Sequence, residues 1–223
     1  MMFATDFADQ AVVLPLWLAL AAALAALGWR RGALAWLVAV GGTLLAVGLA
    51  KLLLLSCGPA GLRSPSGHTA AAGVVAGGLA VLAGWRGARV AAASLAGAAL
   101  IGATRLALGA HGPAEVAAGA AAGLGGALAL ARLAGPRPQG LRLRWLAVTL
   151  AVVVSLFHGL RLPAEAVLRG VSARLRVCRP ADLGPPRRAA NLPSWNPIPP
   201  ARITTWAAFP ATPANRSIPP RTA

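Results

Sequence analysis

At 223 residues, 57% hydrophobic and only 12% charged, the chain lacks the surface charge that a soluble domain of this length needs. A formal charge of +16 would ordinarily suggest nucleic acid, but the placement of the basic residues argues against that partner. Ten of the 21 lie from Arg161 onward, eight sit in short connections between apolar runs, and three, Lys51, Arg63 and Arg105, stand apart.

Apolar runs of about 17–25 residues can cross a bilayer as helices. The predicted class is therefore all-α: a polytopic membrane helix bundle of about six transmembrane helices, over residues 12–28, 33–55, 68–84, 89–109, 113–134 and 145–162. The first run follows the acids Asp6 and Asp9. No Lys or Arg precedes it and no clear cleavage site follows, so it reads as a span rather than a signal peptide. Gly28 to Gly32 close it, with Trp29, Arg30 and Arg31. The second run carries Lys51, the chain's sole lysine, and ends at Gly58-Pro59. A polar stretch, GLRSPSGHTA over 61–70, opens the third run and holds Arg63, Ser66, Gly67 and His68. The fourth run ends on Arg105. His111, Gly112, Pro113 and Glu115 open the fifth, and Gly135-Pro136 with Pro138 separate it from the sixth. Gly73 with Gly77 and Gly119 with Gly123 are small residues four apart, the spacing that lets membrane helices approach closely.

The loops after the first, third and fifth runs contain Arg30, Arg31, Arg86, Arg89, Arg132, Arg137, Arg142 and Arg144 and no acid. The positive-inside rule places them in the cytoplasm, with Trp29, Trp85 and Trp145 beside them as interface aromatics. The acidic N-terminus and the loops after the second and fourth runs then face outward. Residues 163–179 fit a short amphipathic interfacial helix, with Pro163 in its first turn and Leu168, Val171, Leu175 and Cys178 on one face. Eleven of the 18 prolines fall from Pro180 onward, so 180–223 reads as a disordered Pro/Arg-rich tail after a membrane domain over 1–162. Cys57 and Cys178 read as isolated thiols, since their spacing requires no pairing.

Lys51, Arg63, Ser66, His68, Arg105, His111 and Glu115 thus converge on the outer side. Singly, each has a bland explanation. Lys51 and Arg105 can snorkel, Ser66 can be an N-cap, Glu115 can be a first-turn acid, and a lone histidine is more often structural. Jointly they hold the only lysine and the only carboxylate between Asp9 and Glu165, and ionisable groups inside membrane segments mark functional sites. The chemistry they suit is phosphoryl transfer. Three cations clamp a phosphate, and Ser66 with the amides of Gly67 and His68 offers an anion site at a helix start. His111 and Glu115, four apart, meet across one turn. The carboxylate can hold Nδ1–H and leave Nε2 to attack phosphorus, while His68 protonates the leaving oxygen. A metal site at His68, His111 and Glu115 is disfavoured by the three nearby cations.

These residues resemble the three-part signature of the type 2 phosphatidic acid phosphatase superfamily, whose soluble relatives include vanadium haloperoxidases. Pro65-Ser66-Gly67-His68 matches its second motif intact. Thr104-Arg105, His111 and Glu115 match the third in spacing, and Lys51 the first. The resemblance covers about 45–130. It implies His111 as a nucleophile forming a phosphohistidine, His68 as the acid, and Glu115 as the orienting carboxylate. Lys51, Ser66, Gly67, His68 and Arg105 would bind phosphate, with no metal and no cofactor. Two departures stand out: Gly58 replaces the family's arginine, with Arg63 in the same loop as a substitute, and Glu115 replaces an aspartate.

The expected function is hydrolysis of a phosphomonoester or pyrophosphate on a lipid phosphate. The expected location is a cell membrane, a bacterial inner membrane with the site on its periplasmic side. A lipid phosphotransferase, or a catalytically impaired lipid-binding or transport protein of the same fold, are the alternatives. The expected partners are the lipid phosphate and the bilayer, with no nucleic acid.

Overall fold

The computed structural model describes residues 2–57 and 64–175. Gly58, Arg63, Cys178 and the predicted tail lie outside the described residues. Eight helices make up the described chain: α1 (Met2–Asp6), α2 (Gln10–Ala26), α3 (Arg30–Cys57), α4 (Gly67–Leu82), α5 (Ala88–Ala107), α6 (Pro113–Leu133), α7 (Leu143–Phe157) and α8 (Ala164–Leu175). Among the described residues there is no strand. The all-α expectation holds, and each of the six apolar runs is helical. Four stretches are long and apolar enough to cross a membrane: Phe3–Ala26, α3, α5 and α6. The apolar helices α4 and α7, of 16 and 15 residues, are shorter.

Helix ends follow local chemistry. Asp9 caps α2 by accepting from the Ala11 N–H at 2.8 Å. Ser66 caps α4, and α6 starts on Pro113 with Glu115 reaching back to the Gly112 N–H at 2.6 Å. The sixth run ends five residues before its expected limit of 162, at Phe157. Gly159, at φ +88°, turns the chain there, and Arg161 then pairs with Asp6 at 2.9 and 3.1 Å.

Helix α4 is the centre of the bundle, packed against α3, α5 and α6, while α2 lies between α3 and α7. Its contact with α6 is made by glycines. A Cβ on Gly119 would come within 2.5 Å of the Ser66 carbonyl oxygen, and one on Gly123 within 2.7 Å of that of Ala70. Across the same seam Gly73 faces Gly123, and Gly77 faces Ala127. The small residues thus set the distance between backbones, as membrane helix packing requires. Elsewhere the core is aromatic and aliphatic. Trp36 is fully buried with Leu20, Leu24, Val40, Val74 and Leu130, and its indole N–H donates to the Trp17 carbonyl. On α3, Leu34, Val38, Leu45, Leu49 and Leu53 point outward, an apolar face suited to lipid.

Three sequence expectations change in detail. Trp29 is buried at 5% exposure and lies over Gly32, so it is a core residue and not an interface aromatic like the half-exposed Trp85 and Trp145. Arg31 and Arg137 also bond helix-end carbonyls, those of Leu133 and Ala83. Cys57 is disulfide-bonded rather than an isolated thiol; the chain's other cysteine is Cys178.

The seam makes a direct prediction. On α6, Gly125 has open space where a Cβ would stand, whereas Gly119 meets the Ser66 carbonyl. Gly125→Ala should hold or raise stability by about 0.5–1 kcal/mol through the helical preference of alanine. Gly119→Ala should instead lose about 1–3 kcal/mol through overpacking. Thermal unfolding of the two variants in one detergent reads the difference as shifts of opposite sign in Tm.

Candidate active site

The C-terminal ends of α3 and α5 and the N-terminal ends of α4 and α6 carry the described sequence-predicted residues. Lys51 sits six residues before the end of α3 and is 8% exposed, so it is held inside the bundle and does not snorkel. Ser66 is fully buried and is a true N-cap. Its hydroxyl oxygen accepts from Thr69 Oγ1 at 2.9 Å and from the Thr69 N–H at 3.4 Å. Gly67 is buried behind it at the first position of α4, and His68 follows, partly accessible. Arg105 lies in the last turn of α5.

The second and third motifs are tied through the backbone, because the Ser66 N–H donates to the Glu115 carbonyl at 2.9 Å. His111 is 7% exposed and lies just before α6. Its Nδ1 is 3.3 Å from Glu115 Oε2, without the geometry of a formed hydrogen bond. The same carboxylate oxygen accepts from Gly112, so it serves as helix cap and histidine neighbour at once. Lys51 and Arg105 are electrostatic neighbours of both histidines, so the four groups share one locality. Of the predicted set, Arg63 alone lies outside the described residues.

Sequence reasoning missed three residues of this locality. Asp9 places Oδ2 3.6 Å from His68 Nε2. Gln10 lines a cavity with Lys51, Gly67 and His68. Thr69, fully buried, completes the Ser66 cap. Asp9 and Gln10 come from the N-terminus, and no short motif could have linked them to His68. His158 packs between Phe3 and Phe7, with ring centroids 4.5 and 4.4 Å away, and its Nε2 hydrogen-bonds the Phe3 carbonyl at 3.1 Å, a structural role.

The cavity has a volume of about 520 Å³. Leu44, Val47, Gly48 and Lys51 of α3 form one helical stripe along it, Gln10 and Leu14 of α2 a second wall, and Leu162, Pro163, Ala164, Ala166, Val167 and Leu168 at the start of α8 a third. Gly67 and His68 complete it, and apart from Gln10, Lys51 and His68 the lining carries no polar side chain. Among the described residues no group of three or more His, Cys, Asp and Glu is arranged to hold a metal.

One end of this all-helical bundle thus holds two histidines, a carboxylate, the buried Lys51 and the partly buried Arg105. Residues 54–139 match the family model of the PAP2 superfamily, the phosphatase superfamily that the three motifs resemble. The match begins just after Lys51 and contains His68, Arg105, His111 and Glu115. It points to phosphatase activity as the general class. No curated protein and no solved structure matches the chain.

Burial is the largest influence on His111 and holds its pKa below the ordinary value of 6.5; Lys51 pushes the same way and Glu115 pushes upward. The imidazole is therefore neutral at pH 7, the form in which a ring nitrogen can attack. Titration of His111 by NMR in micelles should give a midpoint below 6.5. Glu115→Gln removes the upward influence and should lower it further, and Lys51→Met should raise it. A midpoint at or above 6.5 in the parent would contradict this electrostatic account.

Proposed function

We propose that the chain is an integral membrane phosphatase that hydrolyses a lipid phosphate at the outer face of the membrane, without a metal, through a phosphohistidine at His111. In this reading Lys51, Arg63, Arg105, Ser66 and the amides of Gly67 and His68 bind the phosphate. Ser66 Oγ already accepts from Thr69, so its own proton is the part it offers to an anion. Arg63 supplies the cation that Gly58 does not. His111 Nε2 attacks phosphorus, Glu115 sets its orientation, and His68 protonates the leaving oxygen.

The observation that carries a lipid substrate is the cavity. Lys51, His68 and Gln10 border it together with Leu14, Leu44, Val47, Val167 and Leu168. From Lys51 to Leu44 it follows two turns of α3, about 10 Å at 1.5 Å per residue. A phosphate at Lys51 and His68 would leave an attached hydrocarbon chain in apolar surroundings. Six spans complete the reading: α4, at 16 residues, reaches about 24 Å, and its N-terminal His68 shares the cavity with Lys51, which lies six residues before the end of α3. The arginines in the loops at the opposite end support an outward orientation of that end. The disulfide at Cys57 agrees, because disulfides persist in oxidising compartments.

Two experiments test this. Purified protein in detergent with EDTA should release phosphate from at least one member of a panel of lipid phosphates. His111→Ala should abolish release, and Arg63→Ala should reduce kcat/KM on the order of 10²-fold, the loss seen when one transition-state donor is removed. Release that persists in His111→Ala would sink the mechanism. For the lipid chain, Gly48 borders the cavity with open space beside it. Gly48→Phe should raise KM for long-chain phosphates far more than for short-chain ones; an equal effect on both would remove the cavity from the substrate path.

A further inference from the structure

Asp9 has a local task, capping α2, that engages one carboxylate oxygen. Oδ1 accepts from the Ala11 N–H at 2.8 Å and from the Leu162 N–H at 3.1 Å. Oδ2 is turned the other way, to His68 Nε2 at 3.6 Å, an ion-pair distance rather than a formed hydrogen bond. The carboxylate is 6% exposed, and 59 residues of sequence separate it from the imidazole. A cap alone needs one oxygen and no histidine. The charged groups around His68 are Asp9 and Asp6 beside α2, Lys51 on α3 and Arg105 on α5. Asp9 is the nearest acid among cations that disfavour a protonated imidazole.

We propose that Asp9 is the positioning residue for His68, fixing Nε2–H toward its own carboxylate so that Nδ1–H is presented to the leaving oxygen. The inference rests on the phosphohistidine reading above. In the first step His111 Nε2 forms a bond to phosphorus, the phosphorus–oxygen bond to the lipid breaks, and the Nδ1 proton of His68 goes to the departing oxygen. In the second, water attacks phosphorus, the phosphorus–nitrogen bond breaks, and the water's proton returns to His68 Nδ1. Asp9 keeps its charge throughout. The two histidines are then oriented oppositely: Glu115 faces Nδ1 of His111, and Asp9 faces Nε2 of His68. Leu162 extends the consequence, since the carboxylate that faces His68 also fixes the backbone from which the cavity wall of α8 begins.

Asp9→Asn separates this role from capping, because asparagine caps helices as well as aspartate does while losing the charge. The probes are two phosphates carrying the same long alkyl chain, one an alkyl ester and the other a nitrophenyl ester whose leaving group needs no proton. With Asp9→Asn, kcat/KM on the alkyl ester should fall at least about tenfold more than on the nitrophenyl ester, within the roughly 10²–10⁴-fold that general acid catalysis supplies. Tm should stay near that of the parent. Asp9→Ala, which loses cap and charge together, should lower Tm as well. Equal losses on both esters, or no loss on either, would overturn the role of Asp9. If His111→Ala still cleaves the nitrophenyl ester, the phosphohistidine reading itself fails, and with it the inference.

Discussion

Among the described residues, the tightest approach of a glycine to the backbone of another element joins the start of α4 to α6. Gly119 lies against the Ser66 carbonyl and Gly123 against that of Ala70, at distances no side chain tolerates. In lipid, apolar surface gives helices little reason to prefer each other over acyl chains, so close packing and polar contacts must hold them. Glycines make that approach feasible, and the approach determines the site. It brings the Ser66 N–H to the Glu115 carbonyl, which sets the start of α4 beside the start of α6. His68 and His111 come from opposite sides of this seam. Their placement is a consequence of backbone packing before any side-chain chemistry is considered.

Bringing cations into such a place has an electrostatic cost that nearby acids offset. Lys51 is buried, and an isolated buried charge is strongly disfavoured. Three of the chain's five acids, Asp6, Asp9 and Glu115, are buried at the same end of the bundle. Asp6 is neutralised by Arg161. Asp9 and Glu115 each face a histidine. Lys51 and Arg105 both act electrostatically on the two histidines from positions on packed helices. For the proposed phosphate substrate, cations held in place beforehand would need no rearrangement, which is the condition under which electrostatic stabilisation is most effective.

Legibility in the sequence followed locality. The helices and most of their ends could be read because each depends on a run of neighbouring residues: Ser66 and Gly112-Pro113 mark starts, and Gly28 and Gly84 mark stops. The glycine seam was legible as a spacing, although the sequence did not say which glycines met. The motif residues could be named because their order and spacing are short-range. Asp9, Gln10 and the α8 wall escaped because they reach His68 only through tertiary packing. Asp9 bonds Leu162 across 153 residues. Trp29 was misplaced for a similar reason: beside arginines it reads as interfacial, yet Gly32 leaves a recess for the indole. The Cys57 disulfide escaped because the spacing of two cysteines carries no pairing information.

Glu115 shows how a departure from the motif that this stretch resembles can be absorbed by geometry. The resembled motif carries an aspartate where this chain has Glu115. Here the carboxylate stands at the third residue of α6, where a glutamate has the reach to return to the N-cap amide and an aspartate is shorter by one methylene. That extra length lets one oxygen lie at 2.6 Å from the Gly112 N–H while remaining 3.3 Å from His111 Nδ1. The cap bond fixes the carboxylate, and through it the side from which His111 is approached. The longer residue thus combines a helix-capping bond with the orienting role proposed for it. Its contact with the imidazole is correspondingly looser, which places more of the control of His111 on burial and on Lys51 than on the carboxylate.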